Sequence, residues 1–218
     1  MKKNKFILFL FITINSFTFG QNNKAKELLD KVSTKMSSYS NMNINFSTSL
    51  TNEDAGIKEG DEPPILGKVI LSGDKYNLDY LGSNFMFDGT KLYVINHDEQ
   101  EITINDGDLE DDEGFIYPSK LLTFYKDGYS YKLGKKEIIN NKQIQFVTLT
   151  PIDSNSEIIK VEVGIDISKH HIFTLIQTGA NSAKTKLTIT SLKSNLDLPL
   201  STFKFDKESY LKKDYIID

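Results

Sequence analysis

The 218-residue chain has no cysteine and no tryptophan, and all 26 of its basic residues are lysine. Without cysteine there is no disulfide framework, no thiol nucleophile and no zinc site of the thiolate type, so an exported chain with this composition must rely on its core. Without arginine there is no planar guanidinium fork to clamp a carboxylate or phosphate at two points. No apolar run approaches the roughly 20 residues needed to cross a bilayer as a helix. The longest, Phe6–Ile14, follows Lys2, Lys3 and Lys5 and precedes Thr18-Phe19-Gly20. A basic start, a short apolar stretch and small residues at the cleavage positions predict a signal peptide over residues 1–20. No cysteine follows the apolar stretch, so the chain carries no lipid-attachment site of its own. Residues 21–218 are then a single domain, and loss of the three lysines moves the net charge from −4 to −7 (23 Lys against 30 acids). An acidic chain with no basic stripe is a poor partner for nucleic acid.

What the chain does have is a series of short β-prone runs. Gly67–Ile104 breaks into Val69–Leu71, Tyr76–Leu81, Asn84–Phe87, Leu92–Ile95 and Glu101–Ile104, separated by Ser72-Gly73-Asp74, Leu81-Gly82-Ser83-Asn84, Asp88-Gly89-Thr90 and Asn96–Glu99. Such turn clusters leave no room for a crossover helix, so neighbouring strands are antiparallel. Further runs at Asn43–Leu50, Tyr129–Leu133, Gln143–Thr150, Ile172–Thr178, Lys184–Ser191 and Thr202–Phe205 extend the pattern. In Ile159–Ser168 apolar residues alternate strictly with polar ones, one face buried and one wet. Asn23–Tyr39 is helical in pattern, with Ala25, Leu28, Leu29, Val32, Met36 and Tyr39 on one stripe. A second helix is predicted over Ser119–Lys126, opened by Pro118 and stopped by Asp127-Gly128. The fold class is mainly β (α+β): a curved, unclosed antiparallel barrel or half-barrel, with an N-terminal helix and an internal helix laid over it.

Little in the sequence looks catalytic. His97 and His170-His171 fall in turns without an accompanying nucleophile, and there is no nucleophile elbow, phosphate loop or HExxH pattern. The acidic run Asp106, Asp108, Glu110–Glu113 lacks the spacing of a calcium loop and reads as solvated. No cofactor or metal is expected. The excess is aromatic and apolar: a wide sheet under two short helices either fills its concave side or leaves a chamber there.

Several motifs, taken in order, carry a resemblance. They are Leu28-Leu29-Asp30-Lys31-Val32, Gly67–Leu71 followed by Tyr76–Tyr80, Phe87-Asp88-Gly89-Thr90-Lys91-Leu92-Tyr93, Tyr117-Pro118-Ser119-Lys120-Leu121-Leu122 and Phe146–Pro151, with Asn195–Asp197 and Phe203–Phe205 closing the chain. Together these resemble the periplasmic outer-membrane lipoprotein carrier proteins, the LolA family. The resemblance implies a non-enzymatic, monomeric periplasmic carrier whose apolar chamber shields the acyl chains of lipoproteins. It would receive them from an inner-membrane lipoprotein-releasing transporter and pass them to an unidentified acceptor at the outer membrane. By position, Leu29, Tyr76, Leu78, Leu121 and Leu122 match chamber-lining places, with Tyr80 and Phe85 beside them. The family's lid-contacting arginine has no counterpart: Ser72-Gly73-Asp74 stands in its place, and the latch is absent or built from other groups. The same fold could instead carry or sense another lipid or glycolipid, or bind a protein partner with no lipid inside.

Overall fold

The computed structural model describes residues 15–108 and 118–218, with side chains from residue 23 onward. Most of the expected signal peptide and the later half of the acidic loop lie outside the described residues. A helix, α1 (Asn15–Ser37), leads into β1 (Met42–Thr51), β2 (Ile65–Ser72), β3 (Lys75–Tyr80), β4 (Ser83–Phe87), β5 (Lys91–Asn96) and β6 (Glu101–Asp106). After a long connection come β7 (Tyr129–Ile139), β8 (Lys142–Pro151), β9 (Ile158–Asp166), β10 (His171–Gly179) and β11 (Lys184–Ser194), then a short α2 (Lys207–Leu211) and β12 (Ile216–Ile217). The expected helix from Asn23 thus begins earlier, at Asn15, and runs past the cleavage point expected near Gln21.

All twelve strands form one sheet in the order β12-β6-β5-β4-β3-β2-β1-β11-β10-β9-β8-β7. Every pairing is antiparallel except the short β12–β6 contact at one edge. No pairing joins β7 to β6 or β12 among the described residues, so the sheet curves without closing, as the sequence pattern leads one to expect. The hairpins are tight where the turn residues allow it. Asn140 and Asn141 both take positive φ (49° and 60°) between β7 and β8, the left-handed pair that matches strand twist.

The concave face holds the main core. Val161, Val163 and Ile165 on β9 are almost entirely buried, as the alternation predicts, and Val147 and Leu149 on β8 join them; the alternation breaks at the strand ends, where Ile159 is exposed and Asp166 is buried. Ala25, Leu29, Val32 and Met36, on the predicted apolar stripe of α1, pack into the same cluster. The helix lies over β7 and β10. A smaller cluster, Ile144, Phe146 and Phe173, sits apart from it.

Two elements depart from the sequence reading. The segment predicted as a helix over Ser119–Lys126 winds instead as two 3₁₀ turns, Pro118–Lys120 and Phe124–Lys126. Its bonds run i to i+3: Leu121 N–H to Pro118 O, Thr123 N–H to Lys120 O, Lys126 N–H to Thr123 O. So short a stretch cannot sustain an α-helix on its own. Leu121, Leu122, Phe124 and Tyr125 all pack on the core cluster, so the segment settles on the sheet by its apolar side chains. Thr202–Phe205, expected as a strand, forms turns closed by Thr202 N–H to Pro199 O and Lys204 N–H to Ser201 O. It is held by its side chains, Phe205 stacking on Tyr93 (4.4 Å) and Tyr210 (5.4 Å). The closing strand is β12, which the sequence pattern does not announce.

Leu149→Ala should lower the unfolding free energy in urea by about 2–5 kcal/mol, because its side chain is completely buried in the main cluster. Ile138→Ala, at a site 76% exposed, should stay within about 0.5 kcal/mol of wild type.

Candidate functional site: an apolar cavity under a tethered crossing segment

The strand order places β6 and β7 at opposite ends of the sheet, apart from the two-residue β12. The connection between them must therefore cross from one side of the sheet to the other. Its first 3₁₀ turn packs against β2 and β3. Beneath it is a cavity of about 80 Å³ lined by β1, β2, β3, β10, β11 and the crossing segment. Ile44 and Phe46 on β1, Val69 on β2, Leu175 on β10 and Leu187 and Ile189 on β11 provide the apolar wall, while Pro118 and Leu121 form the roof.

The register explains why these residues converge. Ile44 stands opposite Val69 and Val69 opposite Leu78, while Phe46 faces Gly67 on one side and Ile189 on the other. The β1–β11 ladder shifts register between Asn45 and Phe46, a bulge that twists the strand where the ring enters. The Phe46 ring lies directly over Gly67: a Cβ there would stand 2.2 Å from Phe46 Cζ. Phe46 and Tyr80 rings meet at 5.6 Å, and the Tyr80 hydroxyl is 2.7 Å from Thr48 Oγ1. Side chains thus occupy most of the space the curved sheet encloses.

Of the residues the sequence singles out, Leu78, Tyr80 and Leu121 line this cavity. Leu29 is buried on α1 in the same apolar cluster, and Leu122 and Phe85 pack against that cluster without lining the cavity. Tyr76 is completely buried and its hydroxyl donates to Asp108 Oδ1 at 2.7 Å. The sequence reading misses the contributions of β1, β10 and β11. The alternation of β1 and β11 is legible in the sequence and that of β10 is not, and nothing local says which strands lie across from β2 and β3.

The crossing segment is tied down by carboxylates on both sides of the cavity. Asp108, placed by the sequence reading in a solvated acidic loop, accepts from Ser119 Oγ (2.5 Å) as well as from Tyr76. It joins the start of the segment to β3. At the other end, Tyr125 donates to Asp30 Oδ1 on α1 (2.8 Å), and Asp30 Oδ2 pairs with Lys26 at 2.8 Å. Tyr131 donates to the Tyr125 carbonyl at 2.6 Å. The Lys26 ammonium, followed by the Tyr125 hydroxyl, holds the Asp30 carboxyl below its ordinary 3.8. Burial first, and Asp30 next, push the Tyr125 hydroxyl up to about 12.

His171 is a further correction. It opens β10 rather than sitting in a solvated turn, and its Nε2 is 2.9 Å from the Tyr39 hydroxyl just beyond α1. Burial, then Lys169 and Lys35, lower its pKa. Among the described residues no group of three or more His, Asp or Glu is placed to hold a metal ion.

No protein-family model matches the chain, and no curated protein matches it in sequence. The fold does have solved counterparts. An uncharacterised conserved protein from Thermus thermophilus superposes with a TM-score of 0.59 at 10% identity, covering 89% of this chain and 98% of its own. The Mycobacterium tuberculosis lipoprotein LppX gives 0.50 at 14% identity, over 82% of this chain and 99% of its own. A LolA superfamily protein from Nitrosomonas europaea is a looser likeness, 0.45 at 14% identity, over 84% and 98%. The first two likenesses establish a shared fold.

Asp30→Asn should cost about 1 kcal/mol in urea unfolding at neutral pH, the worth of a partly exposed hydrogen-bonded carboxylate. Because the folded Asp30 pKa is depressed, its contribution is fully present above the unfolded value of 3.8 and is lost as pH falls through the lower folded value. The gap between wild type and variant should accordingly close in acid. A gap that persists undiminished well below pH 3.8 would mean the ionised carboxylate is not what ties Tyr125 to α1.

Proposed function

We propose that this chain is a non-enzymatic periplasmic carrier that shields the acyl chains of lipoproteins between its concave sheet and the 118–126 crossing segment, and moves them from the inner to the outer membrane. One observation carries the reading: an apolar cavity lies beneath a segment attached by a few hydrogen bonds rather than by the sheet. Each exposed methylene of an acyl chain costs about 0.8 kcal/mol in water. A carrier must therefore enclose the chain in transit, and must also open without unfolding. A roof held by Asp30 and Asp108 meets both needs. The ordered motifs that resemble the LolA family support the cargo assignment, as does the sequence pattern of an exported chain. In this reading the donor is an inner-membrane lipoprotein-releasing transporter, and residues 1–20 are removed on export.

The cavity volume favours a second reading as well. At about 80 Å³ it is smaller than the roughly 150 Å³ that admits benzene and the 300–1,000 Å³ of ordinary ligand pockets. The interior is filled as it stands, as it would be in a module that binds a protein partner with its outer surface. The carrier reading requires the roof to rise and Phe46 to swing off Gly67.

The distinguishing experiment uses residues 21–218, an environment-sensitive apolar dye and a triacylated lipopeptide. The carrier should bind the dye saturably and release it to the lipopeptide. Leu121→Glu, which puts a charge in the roof, should weaken dye binding at least tenfold, while Leu200→Glu on the open surface should not. Absence of saturable dye binding by the wild-type protein would leave the protein-binding module as the better reading.

A further inference from the structure

The cavity is not uniformly apolar. Four lining residues carry uncharged hydrogen-bonding groups: Thr48, Tyr80, Gln177 and Thr185. The register puts three of them toward one end of the strands. Gln177 stands opposite Thr185, Thr185 opposite Leu50, and Thr48 further in, opposite Leu187 and Ile65. The Tyr80 hydroxyl reaches the same level, 2.7 Å from Thr48. The other end is closed by Ile44, opposite Val69 and buried.

The polar end is also the open end. Leu50 and Ile65, at the levels of Thr185 and Thr48, are 53% and 43% exposed. No charged side chain lines the cavity among the described residues. The nearby Lys58, Lys184 and Lys186 line a separate groove together with Glu53 and Glu59, and Lys186 is paired with Glu59 at 3.0 Å.

From this arrangement we infer that the cavity takes its ligand in one direction and selects its head: an amphiphile lies with its apolar tail toward Ile44 and Val69 and an uncharged, hydrogen-bonding head at Thr48, Tyr80, Gln177 and Thr185. Thr48 Oγ1 bonds Tyr80 and donates to the Ile65 carbonyl at 3.4 Å, so an ester, amide or hydroxyl head exchanges with or adds to this network, whose hydroxyls and carboxamide both donate and accept. An ionised head would leave water for a place with no counter-charge, which is strongly disfavoured. This inference rests on the carrier reading and narrows it to a ligand class.

The test is displacement of the bound dye from residues 21–218 by monopalmitin, palmitate and hexadecyltrimethylammonium, each below its micelle concentration at mildly alkaline pH. These share a long chain and differ in the charge of the head. Monopalmitin should compete at least tenfold better than either ion. The double variant Thr48→Val, Tyr80→Phe removes two hydroxyls with little change of shape. Measured against its own dye affinity, it should weaken monopalmitin roughly thirtyfold, the equivalent of two hydrogen bonds at about 1 kcal/mol each, while palmitate and the ammonium change little. Equal or better competition by palmitate or the ammonium, or an undiminished preference in the double variant, would overturn the head-group assignment while the carrier reading stood. Failure of all the amphiphiles to displace the dye would remove both.

Discussion

The controlling constraint is the crossing of the chain from β6 to β7. A sheet of twelve strands that does not close leaves its concave apolar face in need of cover. The helix α1 covers the β7–β10 side. The rest falls to a connection that must in any case travel from one end of the sheet to the other. Because its ends are fixed by the strand order, the connection passes over β2 and β3, and its apolar residues settle on the sheet. Roof and topology are one feature, and the cavity is what remains between them.

That roof is attached by groups a chain without arginine can supply. A guanidinium would offer a rigid fork with several donors; here the polarity is reversed. The fixed partners are acceptors, Asp30 on α1 and Asp108 after β6, and the roof contributes single hydroxyl donors from Tyr125 and Ser119. Each hydroxyl contact is a single point of attachment, and Asp30 is partly open to water. Such attachments set the position of the roof without fixing it as backbone pairing would.

The sequence discloses the sheet better than the cover. Strand positions follow from strict alternation, as in Val161, Val163 and Ile165, and from turn residues whose backbone tolerates positive φ. Helix α1 follows from its apolar stripe. The crossing segment is misread as helical because Pro118 and Asp127-Gly128 frame it well, while its apolar middle is shaped by what lies beneath it. At the site, Leu78, Tyr80 and Leu121 come from the stretches the motifs mark. Ile44, Leu175 and Ile189 are ordinary strand residues until the sheet order brings them together. Thr48 and Gln177 look like solvent-side polar positions, and Asp108 looks like one carboxylate among many in an acidic loop. Thr48 meets Tyr80 across 32 residues of chain, and Asp108 meets Tyr76 across 32 and Ser119 across 11. Gln177 finds its place only across the sheet, from the pairing of β10 with β11. No local pattern reaches that far.

If the proposed carrier holds a ligand beneath its roof, the roof must move away from the sheet, and a distance across the cavity reads that movement. The absence of cysteine allows two nitroxide labels to be placed without background, at Lys120→Cys on the crossing segment and Lys184→Cys on β11. Pulsed electron–electron double resonance with and without a triacylated lipopeptide then reports the separation across the cavity. A single short distance is expected in the free protein and a longer, broader distribution when the lipopeptide is present. An unchanged distance under conditions where the lipopeptide is bound would contradict the carrier reading, because a cavity of about 80 Å³ cannot hold an acyl chain without that movement.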